Sequence, residues 1–159
     1  MKKRVLVVAA EEFELAPIRR ALAGREDMEC VLVSKGPGPK LARQAVERAG
    51  TLVGFHAVVS VGLCGALEQN LDIGTIVIGN SVNGVRIQEL RSASDSFSLT
   101  GRIASVDYVA GTIQEKSRLR QSGAIAVEME AAAVLKMAQE IGLPFYAVKA
   151  VSDRSDEDF

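Results

Sequence analysis

Four acidic residues stand where a chain of alternating strands and helices would gather its chemistry: Glu14, Asp107, Glu130 and Asp153. In open α/β sheets, ligands bind beyond the carboxyl ends of the strands, and each of these acids falls at or near such an end. Asp153 closes Val151-Ser152-Asp153 at the end of an apolar stretch. A sheltered carboxyl there is a candidate general acid, able to protonate a departing group. An Asp that closes a turn is the plainer alternative. Glu130 falls in the first turn of a helix, on the same stripe as Val134 and Ile141. The dipole favours an inward carboxylate at that place, but the group still needs donors. A pair of hydroxyls would suit it, and a capping role is the alternative. Glu128, two residues earlier, is read as rotated away from that stripe. Glu14 is a candidate for orienting a water, or for capping a helix. The segment Gly36-Pro37-Gly38 could present backbone N–H groups to a ligand or simply turn from strand to helix. The single histidine, His56, has no visible partner and is given no role.

These side chains need elements to position them. Arg4 to Ala10 is a continuous apolar run, as expected of a strand buried on both faces. A helix with Leu15, Ile18 and Leu22 on one stripe follows and stops at Gly24. Pro17 is tolerated only near a helix start, which predicts a beginning around Phe13 or Glu14. Further strands are predicted over Glu29 to Ser34, Ala57 to Val61 (ended by Gly62-Leu63-Cys64-Gly65) and Ile73 to Gly79. A helix running to Ala49 separates the first two. Asn83-Gly84 reads as a hairpin turn and Ser92 to Ser98 as a polar loop. Ile103 to Gly111 is predicted as a strand carrying Asp107 and Tyr108 at its functional end. A short basic helix spans Gln114 to Gln121, and Ala124 to Val127 is another strand. A helix from Glu128 to Ile141 ends at Gly142 and Pro144, and Phe145 to Ser152 forms the last strand. Alternation of this kind predicts an α/β fold, with a mainly parallel or mixed central sheet and helices on both faces.

Composition narrows the function classes. The 159 residues are 48% hydrophobic and 25% charged, as in an ordinary globular chain of one domain. Nineteen Lys plus Arg against twenty Asp plus Glu give a net charge of −1, which argues against a nucleic-acid-coating surface. Cys30 and Cys64 form no metal or disulfide spacing, so both are expected to be reduced core residues. No leader-like segment or apolar run of membrane-spanning length is present, so neither export nor a membrane partner is expected, and the expected compartment is the cytoplasm. No residue pattern calls for a metal or a cofactor.

Several segments together resemble one family. Ala126-Val-Glu-Met-Glu-Ala131 and Val148-Lys-Ala-Val-Ser-Asp153 are similar to the signature of the nucleoside phosphorylase family, which includes 5′-methylthioadenosine/S-adenosylhomocysteine nucleosidases and futalosine hydrolase. Ala10-Glu-Glu-Phe-Glu14, Ser34-Lys-Gly-Pro-Gly38 and Val61-Gly-Leu-Cys-Gly-Ala66 match the same family in the same order. The resemblance implies a three-layer fold over a single domain, 1–159, shortened in the 79–106 region and at its C-terminal end. It implies hydrolysis of the N-glycosidic bond of a purine-type nucleoside, such as a 5′-substituted adenosine or a futalosine-like compound. Asp153 would protonate the base and Glu14 would position the water. Glu130 would hold the ribose hydroxyls, with Met129 packed on the sugar. Leu63, Cys64, Gly65 and Ser152 would complete the substrate site.

The departures from the family pattern also carry information. Phosphorylases of this type place an Arg two residues before the Gly at position 62, a Ser or Thr just after it, and another Arg in the early loop. Here those places hold Ser60, Leu63 and the acidic Glu11 to Glu14 segment, so a water-using enzyme fits better than a phosphate-using one. The base-stacking aromatic of adenine-specific relatives aligns with Val109, beside Tyr108, and Lys149 replaces a frequent Arg. A shortened cover suggests a homo-oligomer that completes the pocket between subunits. A nucleoside-binding or oligomeric homologue with impaired catalysis is the alternative reading, and phosphorolysis a weaker one. The 5′ substituent and the base are not legible, because the region that contacts them has shrunk.

Overall fold

Strands buried on both faces organise the molecule. The computed structural model describes residues 2–91 and 95–159; of the polar loop expected over Ser92 to Ser98, Ser92, Ala93 and Ser94 therefore lie outside the described residues. In chain order the elements are β1 (Lys3–Ala9), α1 (Glu12–Leu22), β2 (Met28–Ser34), α2 (Pro39–Arg48), β3 (Ala57–Ala66), β4 (Ile76–Val82) and β5 (Val85–Arg86). After a 3-10 turn at Asp95–Phe97 come β6 (Ser98–Ser105), α3 (Ile113–Arg120), β7 (Ala124–Glu128), α4 (Ala131–Glu140) and β8 (Phe145–Asp153).

The central sheet is mixed. β1 lies parallel between β2 and β3, and β8 runs parallel to β3 from Val58–Phe145 to Gly65–Asp153. β4 pairs antiparallel with β8 and parallel with β6, and β6 is parallel to β7. β7 then meets the far end of β3, antiparallel at Gly65–Val127 and Ala66–Ala126. These pairings bend five strands (β3, β8, β4, β6 and β7) into a closed ring, with β1 and β2 extending from β3. Closure leaves no unpaired edge among those five. The ends of β3, β7 and β8 thereby converge.

Helices cover the sheet because alternate residues of each strand face opposite layers. In β1, Leu6 and Val8 join the large core that includes Ala42 and Val46 of α2 and Val134, Leu135 and Ala138 of α4. Val7 and Ala9 point the other way, against Leu15 of α1. A third cluster of Leu67, Ala104, Ala110, Ala124 and Val127 packs against Leu119 of α3. The expected α/β class with helices on both faces is what the chain adopts. Among the described residues, no helix is long and apolar enough to cross a membrane.

Some boundaries differ from expectation, and for physical reasons. β3 does not stop at Val61; it runs on through Gly62-Leu63-Cys64-Gly65, because β8 and then β7 supply its hydrogen-bond partners. The fourth strand starts at Ile76 rather than Ile73 and turns into β5 through Asn83 (φ 49°) and Gly84 (φ 82°), the expected hairpin turn. β6 spans Ser98–Ser105 instead of Ile103 to Gly111, since it is paired by β4 from Ser98 onward. After it, Val106 and Ala110 pack on the cluster of Leu67 and Ala104 while Val109 is exposed, and the strand does not continue. α1 begins at Glu12 and contains Pro17 in its interior. α4 begins only at Ala131, with Glu130 at its N-cap. Glu128 is thus the last residue of β7. It is not turned to solvent as its helical placement implied; it is 4% exposed.

Its burial is tolerated through Lys149 of β8. The Lys149 ammonium lies 3.0 Å from Glu128 Oε2, and neither side chain has exposed surface. Lys149 also donates to Ser60 Oγ at 2.9 Å and to the Val61 carbonyl at 3.1 Å, which uses all three of its donors. Removing one partner of a buried pair strands the other charge, at a cost of about 3–5 kcal/mol. Lys149→Met is therefore expected to lose about that much stability in urea unfolding. A loss below about 1 kcal/mol, the level of an exposed ion pair, would show that the pair is not structural.

Candidate active site

The convergent strand ends enclose a cavity of about 250 Å³. β3 contributes Leu63, Cys64 and Gly65, β8 contributes Ser152 and Asp153, and the β7–α4 junction contributes Val127 to Glu130. Ala10, Glu11 and Glu14 close one side; Pro37, Tyr108, Val109, Ala110 and Phe159 complete the lining. All ten residues named from the sequence as site residues meet here: Asp153, Glu14, Glu130, Met129, Val109, Tyr108, Leu63, Cys64, Gly65 and Ser152. Asp107, the remaining acid, is exposed and does not line the cavity.

Each carboxylate is held by its own local geometry. Glu14 sits in the third position of α1, and its Oε2 accepts the N–H of Glu11 at 2.7 Å, one half of a capping box. Its Oε1 accepts the Leu63 N–H at 3.0 Å. That approach requires Gly62: φ is +130°, and a Cβ there would lie 2.8 Å from Glu14 Oε1. Glu14 thus caps a helix and lines the cavity, so the two readings of it coexist.

Glu130 is 6% exposed, and its Oε2 accepts the Gly38 N–H at 2.8 Å. The glycine segment's backbone donor is thereby turned onto a protein carboxylate. Glu128 in turn accepts the N–H groups of Glu130 and Ala131, satisfying donors at the start of α4. Burial, and then the neighbouring Glu128, push the Glu130 carboxyl above its ordinary value.

Asp153 lies at the end of β8, 8% exposed. Its Oδ1 is 2.8 Å from the Ser152 hydroxyl, and its Oδ2 is 2.7 Å from the ammonium of Lys116. A Cβ on Gly65 would come within 2.9 Å of Oδ2, so only glycine admits the carboxyl there. Sequence reasoning placed Lys116 merely on a basic helix. The structure buries it to 1% exposure, on the face of α3 that also carries Leu119. That three-residue spacing is the signal that could have found it. Phe159 and Glu11 were likewise not anticipated in the lining. Cys64 is inert: burial pushes its thiol up to about 12.

No lysine or arginine lines the cavity among the described residues. Ser60, the position at which the family resemblance would require Arg for phosphate use, is fully buried and bound to Lys149. Lys35 and Lys40 of the glycine segment are exposed and lie outside the lining.

The raised Glu130 sets a stability test. The native state holds that proton more tightly than the unfolded chain, so stability falls as pH rises from the ordinary carboxylate range through the raised value. Glu130→Gln should be neutral below that window and more stable than wild type above it, as read by melting temperature against pH. An equal difference at every pH would contradict it.

Known proteins share the fold that carries this geometry. Residues 86–159 match the family model described as Phosphorylase superfamily. The chain is 24% identical, over 203 aligned residues, to a 5′-methylthioadenosine/S-adenosylhomocysteine nucleosidase of Haemophilus ducreyi, covering 99% of this chain and 88% of that protein. The corresponding protein of Staphylococcus aureus is 22% identical over 173 residues, covering 89% of this chain and 76% of its own. Among solved structures, the Helicobacter pylori 5′-methylthioadenosine/S-adenosylhomocysteine nucleosidase with butyl-thio-DADMe-Immucillin-A superposes with a TM-score of 0.81 at 19% identity, over 99% of this chain and 88% of that one. Futalosine hydrolase of the same organism superposes with a TM-score of 0.80 at 18% identity, over 98% and 86%. The chain thus resembles the phosphorylase superfamily: residues 86–159 match its family model, the chain is similar along nearly its whole length to 5′-methylthioadenosine/S-adenosylhomocysteine nucleosidases, and it shares their fold.

Proposed function

We propose that the protein hydrolyses the N-glycosidic bond of a purine-type nucleoside. The observation that carries this reading is the gathering of Glu14, Glu130 and Asp153 in one cavity that, among the described residues, is lined by no cationic side chain. Glu130 Oε1 has no protein donor among the described residues, and it accepts the ribose hydroxyls. Met129 lies beside it against the sugar. Asp153 gives its proton to a ring nitrogen of the base as the electron pair of the C1′–N bond leaves with that base. Glu14 keeps lone pairs free beyond its two backbone donors, and these orient a water toward C1′. The water oxygen bonds to C1′ and its proton passes to the Glu14 carboxylate, leaving free sugar.

A dianionic phosphate needs cationic or amide donors, and the cavity lining presents acids instead. Base release is accordingly expected without phosphate, and added phosphate should not accelerate it. Chromatography of both products from a nucleoside panel checks this: free ribose or a 5′-substituted ribose supports hydrolysis, whereas ribose 1-phosphate that scales with phosphate overturns it.

Asp153→Asn removes the transferable proton while preserving shape, so release should fall about 100- to 10,000-fold. The change also leaves the buried Lys116 ammonium without its carboxylate, so the melting temperature should fall too, and rates are compared below it. Full activity in the Asn variant would remove Asp153 from the mechanism. A second reading, nucleoside binding without turnover, draws on Val109: an aliphatic side chain, 59% exposed, stands where a base-stacking aromatic was sought. In that case calorimetry would detect nucleoside binding while no base is released.

A further inference from the structure

Lys116 belongs to no part of the mechanism just derived, yet it is among the most deeply buried side chains of the molecule. Its ammonium makes three contacts: Asp153 Oδ2 at 2.7 Å, the Arg154 carbonyl at 2.6 Å and the Glu157 carbonyl at 3.0 Å. Three donors are thus matched by three acceptors, and the group is fixed in direction. A buried lysine with a single carboxylate partner holds that partner firmly, because parting would leave two unpaired charges.

The two oxygens of Asp153 are thereby made unequal. Oδ2 is committed to Lys116 and backed by Gly65, with no room for a further atom behind it. Oδ1 meets only the Ser152 hydroxyl, which has a second acceptor within reach, the Cys64 carbonyl at 3.2 Å. When Oδ1 is ionised, Ser152 donates to it. When Oδ1 carries a proton, the hydroxyl can turn to Cys64, and the Oδ1–H is free to point at Ser152 or at a ligand.

We propose that Lys116 is a positioning residue for the glycosidic cleavage: it ties down Oδ2 of Asp153 so that Oδ1 bears and donates the proton, and it stabilises the carboxylate left behind. This rests on the nucleosidase reading above. In the step itself the Oδ1–H bond breaks, a nitrogen–hydrogen bond forms on the base, and the C1′–N electron pair departs with the base. Lys116 keeps its own protons throughout. The other titratable groups lining the cavity are Glu11, Glu14, Cys64, Tyr108, Glu128 and Glu130. Of these acids only Glu128 has a cation of its own, Lys149, among the described residues. In the segment behind Lys116, the Arg154 guanidinium is engaged by Asp72 and Asp156, and the Glu157 carboxylate accepts the Arg154 N–H. Lys116 is therefore the cation in direct contact with Asp153.

The test is the pH dependence of kcat for base release in Lys116→Gln and Lys116→Arg. Without the ammonium, the proton departing from Oδ1 leaves an anion with no opposite charge beside it. In the Gln variant the alkaline limb should move up by about one to three pH units, the span expected for loss of an opposite charge at this distance. Its plateau should fall at the same time, but by less than the loss of the acid itself. The Arg variant should keep the wild-type limb. A Gln variant that lowers kcat equally at every pH, with the limb unmoved, would show that Lys116 is only structural. If the Gln variant does not fold, the Arg variant decides: a limb within about half a unit of wild type supports the proposal, and a displacement of about one unit or more overturns it. Wild-type protein that releases no base from any nucleoside would instead overturn the reading of the site, and the role of Lys116 with it.

Discussion

At the meeting point of β3, β7 and β8, a lysine and a glutamate with no exposed side-chain surface face each other at 3.0 Å. Most of the site hangs from that contact. Lys149 ties β8 to β3 through Ser60 and Val61, while Glu128 gathers the N–H groups that open α4. Held in this way, the β7–α4 junction has one path to follow, and that path sets Met129 and Glu130 against the cavity. Asp153 lies four residues beyond Lys149 on the same face of β8. In water such an ion pair would contribute little. Here it is the condition for bringing three strand ends and a helix start to one place.

The cavity concentrates like charges, which is an unfavourable thing for a folded protein to do. Among the described residues, five carboxylates line it and no cationic side chain does. The fold moderates the repulsion by giving four of these acids different company. Glu128 has Lys149, Asp153 has Lys116, Glu14 has two backbone N–H groups, and Glu130 has one, from Gly38. Of these four, Glu130 has the least support, and its carboxyl is pushed above its ordinary value. Acids in dissimilar environments can take dissimilar roles at one pH, which is what a reaction with one proton to give and one water to orient requires.

Much of this was legible in the sequence, because the strongest signals were also the ones that build the site. The continuous apolar run of β1 and the Asn83-Gly84 turn each have a single physical reading. The acids at strand ends and helix starts pointed to one edge of the sheet, and the structure collects all but Asp107 of them there. What stayed hidden were the cations behind the acids. Lys149 falls on the inward phase of β8 with Phe145, Ala147 and Val151, but a strand does not announce which buried lysine will find a glutamate across the sheet. Glu128 was misplaced for a related reason. Helical periodicity extended backward past Glu130 gave it an outward face, whereas the extended backbone of β7 turns it inward. Lys116 could not be paired with Asp153 from sequence at all, since the two meet only when the segment after β8 lies along α3. Closure of the strands into a ring was equally invisible, because it depends on register at a two-residue contact between β3 and β7.

Glu14 belongs at once to the end of a helix and to the wall of the cavity, and this has a kinetic side. The N–H of Glu11 and the N–H of Leu63, from distant parts of the chain, are both satisfied by the same carboxylate. Neither amide can exchange its hydrogen with solvent through local opening unless that carboxylate lets go. Fraying of the first turn of α1 and loss of a cavity wall are therefore one event, not two. A small molecule seated against Glu14 would slow both exchanges together, so occupancy of the site is written into the breathing of a helix end.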